Sequence, residues 1–292
     1  LRLCGLVNMV YSAVPNTMSY GVSTSILSTA PLEQVLRRIA AAGIGQIEIS
    51  AEPPHFTPGV AEVEVVRDWL DQTDLRAPVG HALYGSVNLS ALDESVRKQS
   101  IREVAASLAL LKEIGTFLAV VHPTGFSPDY RNDNRGEFVH QARTSMDELA
   151  EIAGELGVRL AWENLPHHGA PRPLHDMTEL RELVDEMPEH VGLCLDTTHA
   201  FYAGHDPLAQ LKIAGDRLFC LHLHDSDGSA DSHWVPGRGA IDWEPFINHL
   251  DRIEFQGPRT LEAISLPGEE DQTLREVAHL VRERFSMASL AG

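Results

Sequence analysis

The sequence predicts an α/β fold, a single-domain (β/α)8 TIM barrel, on three observations. Eight short apolar runs alternate strictly with longer amphipathic stretches from position 20 onward. The runs are bulky, continuously apolar and bounded by Gly, Pro or Asp, as strands buried on both faces of a parallel sheet are. No GxGxxG follows the first run and no GxxxxGK[ST] occurs, which weakens the open nucleotide-binding sheet that would show the same alternation. With 292 residues, 43% hydrophobic and 22% charged, the chain is long enough to bury one large core.

The first strand is expected at 20–24 (YGVST), followed by a helical pattern over 31–43 that stops at Gly43. The second strand is QIEIS (46–50) and the third APVGHA (77–82), with a helix over 96–115 ending on Gly115. FLAVVH (117–122) leads into a helix over 137–157 that ends on Gly157, and RLAWEN (159–164) follows. Glycine at these ends is the usual C-cap signal, because it tolerates the left-handed backbone a helix stop needs. The last three strands are GLCLD (192–196), LFCLHLH (218–224) and RTLEAIS (259–265), and about eight helices fill the intervals. The opening stretch 1–18 is expected to be an extension outside the fold, with Met18 the start, which leaves one domain over 19–292.

Composition narrows the partners. The 42 acidic residues against 23 basic ones give a net charge of −19, which repels a nucleic-acid backbone, and no compensating basic patch is visible. Nucleic acid is not an expected partner. The three cysteines Cys4, Cys194 and Cys220 form no CxxC and no paired framework, so a cytoplasmic setting is expected. No apolar run approaches the ~20 residues that span a bilayer. The three lysines Lys98, Lys112 and Lys212 all fall within helical patterns, which argues against Schiff-base chemistry. A homo-oligomer is compatible with all of this.

In such a barrel the working face is the rim where strands run into their following loops. This chain places His81 there on the third strand, His122 on the fourth and Glu163 on the fifth. Asp196 ends the sixth strand with His199 three residues on; His222 lies on the seventh, followed by Asp231 and His233; Glu262 lies on the eighth. A side-chain period of two puts Cys194 and Cys220 inward below Asp196 and His222, as small fillers, and gives His224 the inward face too. Any one of these has an ordinary explanation; Asp196 alone could simply cap a helix. Gathered at one barrel end, the four carboxylates would repel one another at great cost unless cations balance them. Mixed imidazole and carboxylate ligands suit Zn, Mn, Co or Fe better than Ca or Mg. The remaining histidines, His175 and His205 among them, are expected to be ordinary. Trp162 should pack between strand and helix, since it points opposite to Glu163.

The stretches HALYGSVNLS, VVHPTG, AWENLP, GLCLDTTHA, HLHDSDGSADSHWVPGRGAIDW and TLEAIS together resemble the xylose-isomerase-like barrel superfamily. That group holds sugar (phosphate) isomerases and epimerases and the endonuclease IV type of nuclease. The resemblance implies one divalent metal (Mn, Co, Mg or Zn) on Glu163, Asp196, His222 and Glu262, with Glu163 and Glu262 also acting as acid and base. It implies that His199 binds a substrate oxygen. The nuclease branch implies two or three metals, drawing in His81, His122, His199, Asp231 and His233. Ketose epimerases of the group carry a substrate-binding arginine where this chain has His233, and a second glutamate where it has Gly169. Both departures favour the multi-metal alternative.

The expectation is therefore a metal-dependent isomerase or epimerase of a small polyhydroxylated substrate, a sugar or sugar phosphate. A two- or three-metal phosphoesterase is the alternative, and a non-catalytic binding barrel a third. Arg238 is the cation expected to meet a substrate phosphate or carboxylate.

Overall fold

In the computed structural model eight parallel strands pair in chain order, and the eighth closes on the first. They are β1 (Tyr20–Ser23), β2 (Gln46–Ser50), β3 (Arg76–His81), β4 (Leu118–Val121), β5 (Arg159–Glu163), β6 (Val191–Asp196), β7 (Leu218–Leu223) and β8 (Arg259–Leu261). Around them run α1 (Leu32–Ala41), α2 (Val63–Thr73), α3 (Glu94–Glu113), α4 (Arg135–Leu156) and α5 (Met177–Val184), followed by α6 (Thr197–Tyr202), α7 (Pro207–Ala214), α8 (Trp243–Arg252), α9 (Glu270–Arg282) and α10 (Met287–Leu290). The structure describes residues 20–57, 59, 62–127, 129–167 and 172–290. The expected extension over 1–18, Cys4 and Gly169 lie outside them. Among the described residues, no helix is long and apolar enough to cross a membrane.

The barrel expected from the alternation is the barrel found. Differences sit at element ends. The fourth and eighth strands stop at Val121 and Leu261, so His122 and Glu262 stand just past them. Ten α-helices are present among the described residues, against about eight expected. The short α10 is one addition; α6 starts directly after β6 because Asp196 Oδ1 accepts the His199 backbone N–H at 2.7 Å and caps it, the ordinary role noted for Asp196 above. At the end of α4, Gly157 adopts φ 66° in the cap, the left-handed conformation its glycine was read to supply.

The barrel interior is layered by the strand period. Val79, Val120, Ala161, Cys194 and Cys220 belong to one buried apolar cluster that plugs the barrel. Two residues further along the same strands come His81, His122, Glu163, Asp196 and His222, so the polar layer stands on the apolar one. The register confirms the level of the lower and upper pairs: Cys194 opposes Cys220, and Asp196 opposes His222. Trp162, one residue from Glu163, belongs instead to the outer core between strands and helices and is fully buried there.

Candidate metal centre

Glu163, the last residue of β5, is the hub of the rim. Its Oε2 lies 3.1 Å from His81 Nε2 and 3.2 Å from His122 Nε2. Its Oε1 lies 3.2 Å from both His199 Nδ1 and His222 Nδ1. Around His222 Nδ1 also stand Glu262 Oε2 at 3.0 Å and Asp196 Oδ2 at 3.8 Å. Ligand atoms of Glu163, Asp196, His222 and Glu262 all fall within 4.8 Å of one another, as do those of His81, His122 and Glu163, and those of His199, Asp231 and His233. Nitrogen and oxygen ligands about 2.0–2.2 Å from one ion stand roughly 3–3.5 Å apart in a tetrahedral set. The donor set and its spacing therefore fit divalent transition metals, with Glu163 shared between two groups.

The imidazoles are wired for that role. His81, His199 and His233 each turn Nδ1 toward a main-chain carbonyl, those of Ala82, Asn164 and Glu262, at 2.9, 2.9 and 3.0 Å. With Nδ1–H donating there, the Nε2 lone pair is free for a ligand. In His81 it faces Glu163, and in His199 and His233 it faces Asp231, at 3.3 Å in each of the latter two. His222 is wired the other way. Its Nε2 meets Glu48 Oε2 at 3.0 Å, which leaves Nδ1 for the carboxylates of the quartet. Glu48 also accepts from Thr260 Oγ1 at 2.9 Å and is fully buried. Asn164 ties the ends of two strands by accepting from Asp196 N at 2.8 Å and donating to Asp196 O at 3.0 Å.

Asp225 shapes the loop after β7. It pairs with Trp234 in an isolated antiparallel bridge that pinches off the segment carrying Asp231 and His233. Its carboxylate accepts from the backbone N–H groups of Ser226, Gly237 and Ile241 and from Trp243 Nε1.

Charge at the rim is strongly coupled. Burial alone would raise the carboxyls of Glu163, Glu262 and Asp231, but the surrounding imidazoles hold all three well below the usual range. Burial alone would lower His81 and His233, yet Glu163 and Asp231 respectively raise them to about 9. His199 and His222 are also raised, since the neighbouring carboxylates outweigh burial. For His122 burial prevails over Glu163 and lowers it to about 4, and burial lowers His224 too.

These shifts set a pH dependence for the metal-free protein. A histidine raised in the fold stabilises it fully below its unfolded pKa of about 6.5, and that contribution is lost as pH climbs through the folded value. His122 and His224, shifted down, act in the opposite sense, but they are half titrated by about pH 6.5 in the unfolded state and are outnumbered by the four raised histidines. The thermal midpoint of chelator-treated protein should therefore fall between about pH 6.5 and 9, the latter being where His81 and His233 titrate. Metal-loaded protein, whose liganded imidazoles are already neutral, should not follow it. A flat or rising midpoint in the stripped protein would contradict this assignment of charge.

A cavity of about 110 Å³ opens over the groups, bordered by Glu163, Glu262, His122, Asp231, Tyr84 and Arg172 among others. A larger one of about 430 Å³ lies at the opposite barrel end, lined by Gln46, Arg76, Pro78 and Pro258. It borders none of the ligand groups, and the chemistry follows the donors rather than the volume.

The structure thus brings His81, His122, Glu163, Asp196, His199, His222, Asp231, His233 and Glu262 to one barrel end. Arg238 is not brought there. It pairs with Glu276 at 2.8 Å and stands 3.7 Å from Glu269, on the outer side of the turn where Gly237 takes φ 92°. The cation that borders the cavity is Arg172, which nothing in the sequence singles out. Glu48 was also missed, although a lone acid inside the strand QIEIS was a signal. His175 and His205, expected to be ordinary, gather with Asp176 in a further ligand-type group away from this cavity.

Comparison with known proteins agrees with this architecture. Residues 36–283 match the family described as xylose isomerase-like TIM barrel. The fructoselysine 3-epimerase of Shigella flexneri is 23% identical, over 92% of this chain and 97% of its own length. A probable endonuclease 4 of Trichlorobacter lovleyi is 25% identical, over 84% of this chain and 92% of its own. The crystal structure of a D-tagatose 3-epimerase-like protein superposes with a TM-score of 0.77 at 22% identity, covering 92% of this chain and all of that one. At that identity the superposition speaks for the fold alone.

Proposed function

The chain belongs to the xylose isomerase-like TIM barrel family, and from that premise we propose that it is a divalent-metal-dependent isomerase or epimerase of a small polyhydroxylated substrate. The observation that carries the reading is the pair Glu163 and Glu262. They come from different strands, both border the cavity, and both reach His222 Nδ1, at 3.2 and 3.0 Å. Glu163, Asp196, His222 and Glu262 would hold the ion. When bound, it supplies positive charge beside the carbonyl and neighbouring hydroxyl of the substrate. One glutamate takes the proton from the carbon next to the carbonyl, and the other returns a proton, to the opposite face in an epimerisation. Glu48 keeps His222 in the tautomer that leaves Nδ1 free, and Asn164 keeps Asp196 in register with Glu163.

A second reading is favoured by one specific observation: each Glu163 oxygen already faces two imidazoles, more than a single metal site needs. His81 and His122 with Glu163, and His199, Asp231 and His233, could hold further ions, and the chemistry would then be hydrolysis of a phosphoester by an activated water. The −19 charge and small cavity suit a small ester rather than a nucleic acid.

One preparation separates the two. The metal-supplemented protein is incubated in D₂O with a ketose and ketose phosphate panel, and in parallel with p-nitrophenyl phosphate and its bis-ester. The first reading expects deuterium at the carbon beside the carbonyl of one ketose and no phenolate release. Ester hydrolysis without exchange moves the assignment to the second reading. Neither activity in a metal-loaded protein would contradict both.

A further inference from the structure

Arg172 is a buried cation on the wall of the cavity. It is 3% exposed. Its Nε donates to Thr124 Oγ1 at 3.2 Å and its Nη2 to the Thr124 carbonyl at 2.8 Å, while Nη1 has no partner among the described residues. The guanidinium lies over the Phe126 ring, 4.6 Å from its centroid, so its plane is held from one face by the ring and along one edge by Thr124. Among the described residues no Asp or Glu forms an ion pair with it. The residues preceding it that lie outside the described set are His168, Gly169, Ala170 and Pro171, and none carries a carboxylate. A guanidinium does not escape this by losing its proton at neutral pH. A buried charge is strongly disfavoured unless something of opposite sign completes it, and an orphaned buried donor needs a partner in some state of the protein.

The cavity supplies the place. Arg172 borders the same cavity as Glu163, Glu262 and Asp231, whose charges are already answered by histidines. A neutral polyol would leave the guanidinium with only the attraction of Glu163 and Asp231, which does not outweigh its burial. We propose that Arg172 seats an anionic group of the substrate, a phosphate or a carboxylate distinct from the reacting carbonyl, with Nη1 as the donor reserved for it. The substrate class is then sugar phosphates or sugar acids rather than free sugars. This rests on reading the cavity as the substrate site of the proposed isomerase.

The test uses three probes that differ only at C6: D-fructose, D-fructose 6-phosphate and D-fructuronate. Binding to the full-length, metal-supplemented protein is measured by calorimetry, without turnover. Wild type should bind at least one anionic probe about tenfold more tightly than fructose, the scale of a charge-assisted hydrogen bond. Which anion is preferred identifies phosphate or carboxylate as the source. Arg172→Met should erase the preference, so that the anionic probes bind no more tightly than fructose. Should the Met variant unfold, Arg172→Lys keeps the charge but loses the forked contact to Thr124, and the preference should fall severalfold.

Equal binding of all three probes by wild type, no binding of either anion, or a preference untouched by both substitutions would overturn the proposal. Its failure is distinct from failure of the isomerase reading. Protein that prefers anions through Arg172 but exchanges no deuterium keeps the anion seat and loses the chemistry. Protein that exchanges deuterium into fructose with no anion preference does the reverse.

Discussion

Glu163→Gln should leave a folded barrel that has lost at least about a thousandfold in turnover, the scale expected when a proton-transferring group that also ligates is removed. The amide keeps the shape of the carboxylate but neither accepts a proton nor offers charge to a metal. Four imidazole nitrogens lie within 3.1–3.2 Å of the Glu163 oxygens, so the change touches every one of these contacts. In the metal-free variant His81 and His122 lose their main counter-charge, and His81 should fall from about 9 toward an ordinary value. Removing one member of a buried charged group costs about 3–5 kcal/mol. The stripped variant should therefore melt below stripped wild type near neutral pH and show a shallower decline between about pH 6.5 and 9, since Asp231 still holds His233 up. Circular dichroism, a melting series and turnover under one condition check all of this. Near-normal activity would remove Glu163 from the chemistry, and an unfolded variant would make its role structural.

Asp225→Ala carries the second large effect, and it acts through the loop rather than the metal ligands. The substitution strands the N–H groups of Ser226, Gly237 and Ile241 and the indole N–H of Trp243 around a fully buried position. At about 1–3 kcal/mol for each buried donor left unsatisfied, partly relieved by water entering, the loss should be at least about 3 kcal/mol. The packing is tight: a Cβ at Gly239 would lie 2.3 Å from Asp225 Oδ1. Loosening this knot frees the segment that presents Asp231 and His233, so under the multi-metal reading the His199–Asp231–His233 group should lose its ion while the Glu163 quartet keeps its donors. Asp225→Asn keeps one acceptor oxygen and should cost less. Urea denaturation and metal titration report the two effects. A change below about 0.5 kcal/mol would mean that Asp225 does not organise this loop.

The rim ligands on the later strands were legible because each follows a continuous apolar run, and period two then fixes which residues face inward. Cys194 and Cys220 illustrate it: read as fillers below Asp196 and His222, they sit in the buried plug. Glu48 was not legible in the same way. Its partner His222 lies 174 residues away, and only closure of the barrel brings the second strand's acid against the seventh strand's imidazole. Arg238 misled because nearness to a Gly-Arg-Gly turn says nothing about which way that turn faces. The left-handed Gly237 and the acids of α9 decide it, and both are tertiary facts. Arg172 shows the converse, since a lone arginine in a polar loop acquires meaning only from being buried without a counter-charge. TTHAFY has no apolar period, so only the capping reading of Asp196 pointed to α6, and the same residue also faces the ligand group.

The central claim is that the carboxylates and imidazoles around Glu163 exist to hold divalent metal. Metal content per chain, by elemental analysis of protein purified without added metal or chelator, tests it most directly. The account predicts about one Mn, Co, Mg or Zn per chain for the isomerase reading, and two or three zinc ions for the hydrolytic one. In either case the quartet's ion should be lost in Glu163→Gln. A protein that carries no divalent metal, and takes up none on titration, would contradict the account.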